Sequence, residues 1–206
     1  MIISSLHKFI FVAIPKTGTH SVRQALRQHL GPEDIEQVGL FVKKRFPIPE
    51  LARLRHGHLS LQQVRPHLPP DQWDSSVKFA FVRNPFDRFV SYCAFMTRQE
   101  GHFDRDPQGV MRHFLSNPPL QHILFQPQHL LVVDAEGKLL TDYLGRVEDM
   151  QGSYDEVSQR IGIPTSVLGT VNASRRKDYR DYYNESLKDG VAKLYARDLE
   201  LFEYQF

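Results

Sequence analysis

Lys16, Thr17, Gly18, Thr19, His20 and Ser21 follow one another directly, and together they can hold an anion. The glycine lets the backbone turn tightly, so that successive N–H groups converge, and the lysine adds a full positive charge. A helix beginning behind such a turn also favours negative charge, which makes the whole a cradle for phosphate-like groups. A second cation, Arg83, stands eight residues before Ser91, about two helical turns. An arginine fork with a hydroxyl at that spacing suits a second phosphate. The competing reading pairs Arg83 with Asp87 and makes Ser91 a small packing residue. Between the two groups lies His56-Gly57-His58. Histidine is the side chain suited to taking up a proton near neutral pH.

These residues need elements to position them. Phe9-Ile10-Phe11-Val12-Ala13-Ile14 is an apolar run that predicts a buried strand, stopped at Pro15. Val22, Ala25 and Leu26 then recur at helical spacing. Val77 to Val82 predicts a second buried strand that ends at Arg83-Asn84-Pro85, with Asn84 as a helix N-cap and Pro85 at the first helical position. Phe86, Phe89, Val90, Cys93 and Thr97 mark the face of the following helix. In open α/β sheets ligands lie beyond the carboxyl ends of the strands, so Lys16 and Arg83 are expected on one edge.

Elsewhere, Val38 to Val42 reads as a short strand or extended loop, followed by the basic turn Lys43-Lys44-Arg45. Leu59 to Leu68 is weakly helical up to Pro69-Pro70, Gln99 to Pro107 is a loop, and Val110 to Leu115 is a short helix. His129 to Val133 and Leu139 to Leu144 read as two strands around the turn Glu136-Gly137-Lys138. Val147 to Ile161 is a helix, and Leu187 to Phe202 is a last amphipathic helix. The alternation of strands and helices predicts an α/β fold with a mainly parallel sheet.

The chain has 206 residues, enough for one domain with a real core. A formal charge of +2 argues against bulk nucleic-acid binding. The single cysteine, Cys93, excludes an internal disulfide and reads as a buried structural thiol. No Cys/His set has zinc spacing. Met1-Ile2-Ile3 gives way to Ser4, Ser5, His7 and Lys8, which predicts no signal peptide and no membrane anchor, hence a reducing, cytoplasmic setting. The anion loop is not the nucleotide-triphosphate loop G-x-x-x-x-G-K-S/T, because Lys16 precedes Gly18 and no glycine stands five residues before it.

The segments Pro15 to Ser21 and Phe81 to Cys93, in that order and each after a strand, resemble the two binding motifs of the sulfotransferases that use 3′-phosphoadenosine 5′-phosphosulfate (PAPS). The likeness is closest to the carbohydrate, family 2-like branch. Tyr143 to Glu148 is similar to that family's later strand motif, and Asp198 to Phe206 to its usual C-terminal end. His20 departs from the Thr or Ser more usual at its position.

The resemblance implies a P-loop-type three-layer domain spanning residues 1–206, with a mainly parallel central sheet flanked by helices. It implies that Lys16, Thr17, Gly18, Thr19, His20 and Ser21 hold the 5′-phosphosulfate, with Lys16 on the bridging oxygen, and that Arg83 and Ser91 hold the 3′-phosphate. The acceptor is then a glycan or another hydroxyl-bearing molecule, and no metal is needed. His58 is the first candidate for general base, since an HGH-like segment here resembles one that carries the base in uronyl-type members. His56 and His20 are the alternatives, and the bland reading makes His56 and His58 exposed loop residues. Ser174-Arg175-Arg176-Lys177 either closes over the 3′-phosphate or adenine, contacts an acidic acceptor, or is a solvated loop. The competing functions are an ATP-dependent phosphotransferase and a nucleotide-binding module without catalysis.

Overall fold

Four alternating phenylalanines build the heart of the sheet. Phe9 and Phe11 lie in β2 (Phe9–Val12), Phe79 and Phe81 in β4 (Val77–Val82). Positions two apart in a strand face the same way, so all four rings leave one face. Each is at most 1 % exposed. Phe11 and Phe79 are register partners and stack with ring centroids 5.2 Å apart. Against that face pack Val22, Ala25 and Leu26 of α1 (Thr19–Arg27) and Tyr154, Val157 and Ile161 from α8 (Met150–Arg160) and its end.

The computed structural model describes residues 1–37, 48–169 and 177–206. The expected strand at Val38 to Val42, the basic turn Lys43 to Arg45, and Ser174 to Arg176 lie outside the described residues. The sheet has the order β3-β1-β2-β4-β5, with β1 at Ile2–Ser4, β3 at Ile35–Glu36 and β5 at Tyr143–Arg146. β2, β4 and β5 pair in parallel, whereas β1 is antiparallel to both β2 and β3. The sheet is therefore mixed and only partly parallel, an α/β sheet flanked by helices. The reason is the short link from Ser4 to Phe9. A parallel crossover takes about a dozen residues or more, so so short a link joins antiparallel neighbours.

The chain falls into two units. The first comprises Met1–Val82 and Leu130–Val171 and holds the sheet, with α1, α8 and the short helices α2 (Pro49–Ala52), α3 (Leu61–Val64) and α4 (Pro70–Ser75). The weak helical pattern from Leu59 to Leu68 becomes α3 and a 3₁₀ turn, Arg65–His67. Where a hairpin was expected, Val133 and Leu139 make one isolated antiparallel bridge and His129–Leu131 is a 3₁₀ turn. The side chain of Asp134 accepts the N–H groups of Glu136 and Lys138, closing the turn locally, and a strand begins only at Tyr143, which pairs with Phe79.

The second unit comprises Arg83–His129 and Asn172–Phe206 and is helical, with α5 (Pro85–Met96), α6 (His102–Arg105), α7 (Pro107–Ser116), α9 (Glu185–Leu194) and α10 (Ala196–Leu201). Phe86, Phe89, Val90, Tyr92, Cys93, Met111, Phe125, Leu187 and Val191 form its buried cluster. Asn84 caps α5, its side-chain oxygen accepting the Phe86 N–H at 3.0 Å, and Pro85 takes the first helical position. The loop expected from Gln99 to Pro107 contains α6. The expected last helix divides at Tyr195, whose backbone leaves helical geometry while its hydroxyl donates to the Phe125 carbonyl at 2.8 Å. Among the described residues no helix is long and apolar enough to cross a membrane.

Candidate functional site

β2 hands the chain to the loop at Ala13, and α1 starts at Thr19. Two residues of the connection take the left-handed region: Lys16 at φ 68° and Gly18 at φ 69°. For lysine that conformation costs roughly 1–2 kcal/mol, which the surrounding loop must hold. Alternation of positive and negative φ turns consecutive N–H groups toward one side, the geometry of an anion-binding nest. Among the described residues, no carbonyl or side chain accepts the N–H groups of Thr17, Gly18 or Thr19. Among the described residues no side chain caps α1 either, so its dipole and first-turn donors lie at the end of the same loop. Gly18 has a second constraint, because a Cβ there would lie 2.6 Å from the Met150 methyl group.

The hydroxyls of the loop divide their work. Thr17 is fully buried and donates to the Ile14 carbonyl at 2.9 Å, pinning the loop to the end of β2. Ser21 donates to the Gly169 carbonyl at 2.9 Å. An anion oxygen needs donors, so in this arrangement the backbone offers more to it than these two side chains do. Thr19 is buried and His20 exposed.

The histidine segment is fixed against the same loop. The Nδ1–H of His58 donates to the Ala13 carbonyl at 2.6 Å. A carbonyl oxygen can only accept, so the neutral ring carries its proton on Nδ1 and keeps the Nε2 lone pair as a proton acceptor. Arg23 of α1, itself buried, donates from Nη2 to the carbonyls of Gly57 and Gln37, each at 3.2 Å, and so ties this segment to the helix behind the loop. Gly57 lets the backbone approach other protein groups closely: a Cβ would meet the Gln37 carbonyl oxygen at 2.2 Å and Arg23 Nη2 at 2.7 Å. His56 packs at 6.3 Å ring to ring from His58, and its buried Nδ1 has no hydrogen bond among the described residues.

All three histidines are held neutral. Burial lowers His58 to about 3, against the opposing effect of its bond to Ala13 and with help from the nearby Arg23 charge. Burial also lowers His56. His20, exposed at its surface, is lowered by the partial loss of solvent around its ring and then by Arg23, Arg27 and Lys16. A base titrating near neutrality was the sequence expectation. The half-buried ring of His58 is deprotonated throughout the neutral range but is a weak base while no anion lies beside it.

β4 is parallel to β2, with Val12 opposite Ala80, so the two strands end at one edge of the sheet. Arg83 is the residue after Val82, the last of β4. Within the second unit its guanidinium makes an ion pair with Asp87, with Nη2 2.6 Å and Nε 2.7 Å from Oδ2. The competing sequence reading of Arg83 thus describes a real contact. Asp87 and Ser91 lie one helical turn apart on one face of α5, so the carboxylate stands between Arg83 and the partly buried Ser91 along that face.

Arg23 and the Ala13 carbonyl escaped sequence reasoning. The signal for Arg23 was its place beside Val22 on the apolar side of α1, where a cation needs buried acceptors. Among the described residues no group of His, Cys, Asp or Glu is arranged to hold a metal ion.

A protein of Archaeoglobus fulgidus, described as an uncharacterized protein, is 24% identical over 117 residues, covering 57% of this chain and 93% of that one. No solved structure matches. The family model described as "Sulfotransferase family" matches residues 1–205, and the chain belongs to that family.

Proposed function

We propose that the protein moves a sulfuryl group from PAPS to a hydroxyl of a carbohydrate acceptor, with His58 as general base, in a reducing, cytoplasmic setting. The observation that carries this reading is the joint geometry of the loop and His58. The loop takes left-handed backbone at Lys16 and Gly18 and leads into a helix with no side-chain cap among the described residues, and His58, bonded to the Ala13 carbonyl where that loop begins, keeps Nε2 as its acceptor nitrogen. PAPS supplies the activated sulfuryl group and two separated anionic ends.

The N–H groups of Thr17 to His20 hold the phosphosulfate oxygens, with the Thr19 and Ser21 side chains alongside. Arg83 and Ser91 take the 3′-phosphate. Arg83 directly follows β4, which is the parallel neighbour of β2. His58 Nε2 removes the acceptor hydroxyl proton as the new O–S bond forms. The S–O bond to the 5′-phosphate breaks in line, and Lys16 meets the charge that develops on the departing oxygen. The negative charges of the donor raise the proton affinity of the His58 ring, so its strength as a base develops when donor is in place.

The test is binding followed by transfer. Adenosine 3′,5′-bisphosphate should raise the melting temperature without magnesium, and labelled PAPS should deliver sulfate to a member of a panel of glycans, peptides and phenols. Stabilisation by magnesium ATP and not by the bisphosphate would sink the reading in favour of a phosphotransferase. Binding without transfer to any acceptor would leave a nucleotide-binding module.

A further inference from the structure

Gln128 is a fully buried polar side chain, 0 % exposed. Burying a carboxamide is costly unless both its donor and its acceptor are used. Both are used here, on one residue. Its Oε1 accepts the backbone N–H of Arg83 at 3.0 Å, and its Nε2 donates to the backbone carbonyl of Arg83 at 2.9 Å. The ladder of β4 ends at Val82, so one side chain continues strand-like pairing for one more residue.

Gln128 is itself held. Its backbone N–H donates to Asp198 Oδ2 at 2.8 Å, and the next residue gives Asp198 Oδ1 both its N–H, at 2.9 Å, and its ring Nδ1, at 2.6 Å. Asp198 lies in α10 and is also 0 % exposed. A buried carboxylate satisfied by three such bonds makes a rigid anchor. The residue after Arg83 is fastened from the C-terminal segment as well: Asn84 Nδ2 donates to the Gln205 carbonyl at 2.7 Å and to the Tyr179 hydroxyl at 3.2 Å. Asp87 orients the guanidinium at the far end of the Arg83 side chain.

We propose that Gln128, anchored by Asp198, is a positioning residue for Arg83: it fixes the backbone of Arg83 so that the guanidinium meets the donor's 3′-phosphate in one orientation. The inference rests on the reading of Arg83 as the 3′-phosphate ligand. A displacement of about 1 Å in such a group is enough to cost up to 100-fold.

Calorimetric titration with adenosine 3′,5′-bisphosphate and with adenosine 5′-phosphate, which lacks the 3′ group, tests it. The unaltered protein should prefer the bisphosphate. Gln128→Leu should shrink that preference by about tenfold or more, with affinity for the monophosphate unchanged. Gln128→Glu keeps an acceptor for the Arg83 N–H but sets a carboxylate against its carbonyl, and should lose an intermediate amount. If Gln128→Leu does not fold, Gln128→Glu alone decides by the same ratio. A preference retained in the variants would overturn the positioning role and leave Gln128 as a stability clamp. No preference in the unaltered protein would overturn the reading of Arg83 itself.

Discussion

The loop after β2 and the turn after β4 follow the same strand-to-helix plan and are built in opposite ways. In the first, side chains are turned inward, Thr17 to Ile14 and Ser21 to Gly169, while backbone N–H groups and the uncapped start of α1 remain for a ligand. In the second, backbone is consumed: Gln128 takes both polar groups of Arg83, and Asn84 caps α5. What the second turn can offer an anion is therefore the guanidinium. Backbone recognition tolerates loss of a side chain, whereas recognition by one arginine does not.

The largest effect should come from the histidine that borders the first loop. His58→Ala should lower kcat by about 100- to 10,000-fold, with binding of the bisphosphate retained in titration. Undiminished turnover would remove His58 as base and return His56 or His20 to that role. The same residue links stability to pH. Its folded-state pKa, about 3, lies below the unfolded value of about 6.5, so the unfolded chain takes up the proton first. This contribution is complete above the unfolded value and is lost as pH falls from there toward about 3. Melting curves over that range should show a decline that His58→Ala flattens.

Lys16→Ala should reduce kcat by about 100- to 1,000-fold, the scale for removing one preorganised donor to developing charge. Alanine faces the same left-handed backbone as lysine, so the substitution adds no backbone strain. The two turns are compared most directly by side-chain deletion in each. Arg83→Ala should weaken bisphosphate binding by about 10- to 100-fold, and Ser21→Ala by no more than about threefold. Equal losses would erase the distinction between a backbone cradle and a side-chain grip. Gly18→Ala acts on stability and not on binding contacts, at about 1–2 kcal/mol from the positive φ, increased by contact with the Met150 methyl group.

What could be read from the sequence was what is local. The apolar runs gave β2 and β4, the Asn84-Pro85 pair gave the start of α5, and the order of lysine and glycine marked the loop. β1 was invisible because Ile2–Ser4 is too short for a periodic signal, and it is β1 that makes the sheet mixed. The two arms of the expected hairpin do meet, with the Asp134 N–H on the Lys138 carbonyl and the Leu140 N–H on the Val132 carbonyl, but the pairing stops at one bridge. In the site, Lys16, Arg83 and the histidines announced themselves by type and spacing. The bonds from Asp198 to Gln128 and from Gln128 to Arg83 span 70 and 45 positions, distances at which no local pattern speaks.

Cys93 sits at 0 % exposure within the cluster of α5, α7 and α9, and it is the chain's one thiol. That makes it a built-in chemical clock. A thiol reagent cannot reach it until the helices separate, so the rate of labelling under native conditions counts openings of the helical unit. The sheet-bearing unit contributes no signal of its own to that count. Breathing of one part of the molecule can thus be timed without adding a probe.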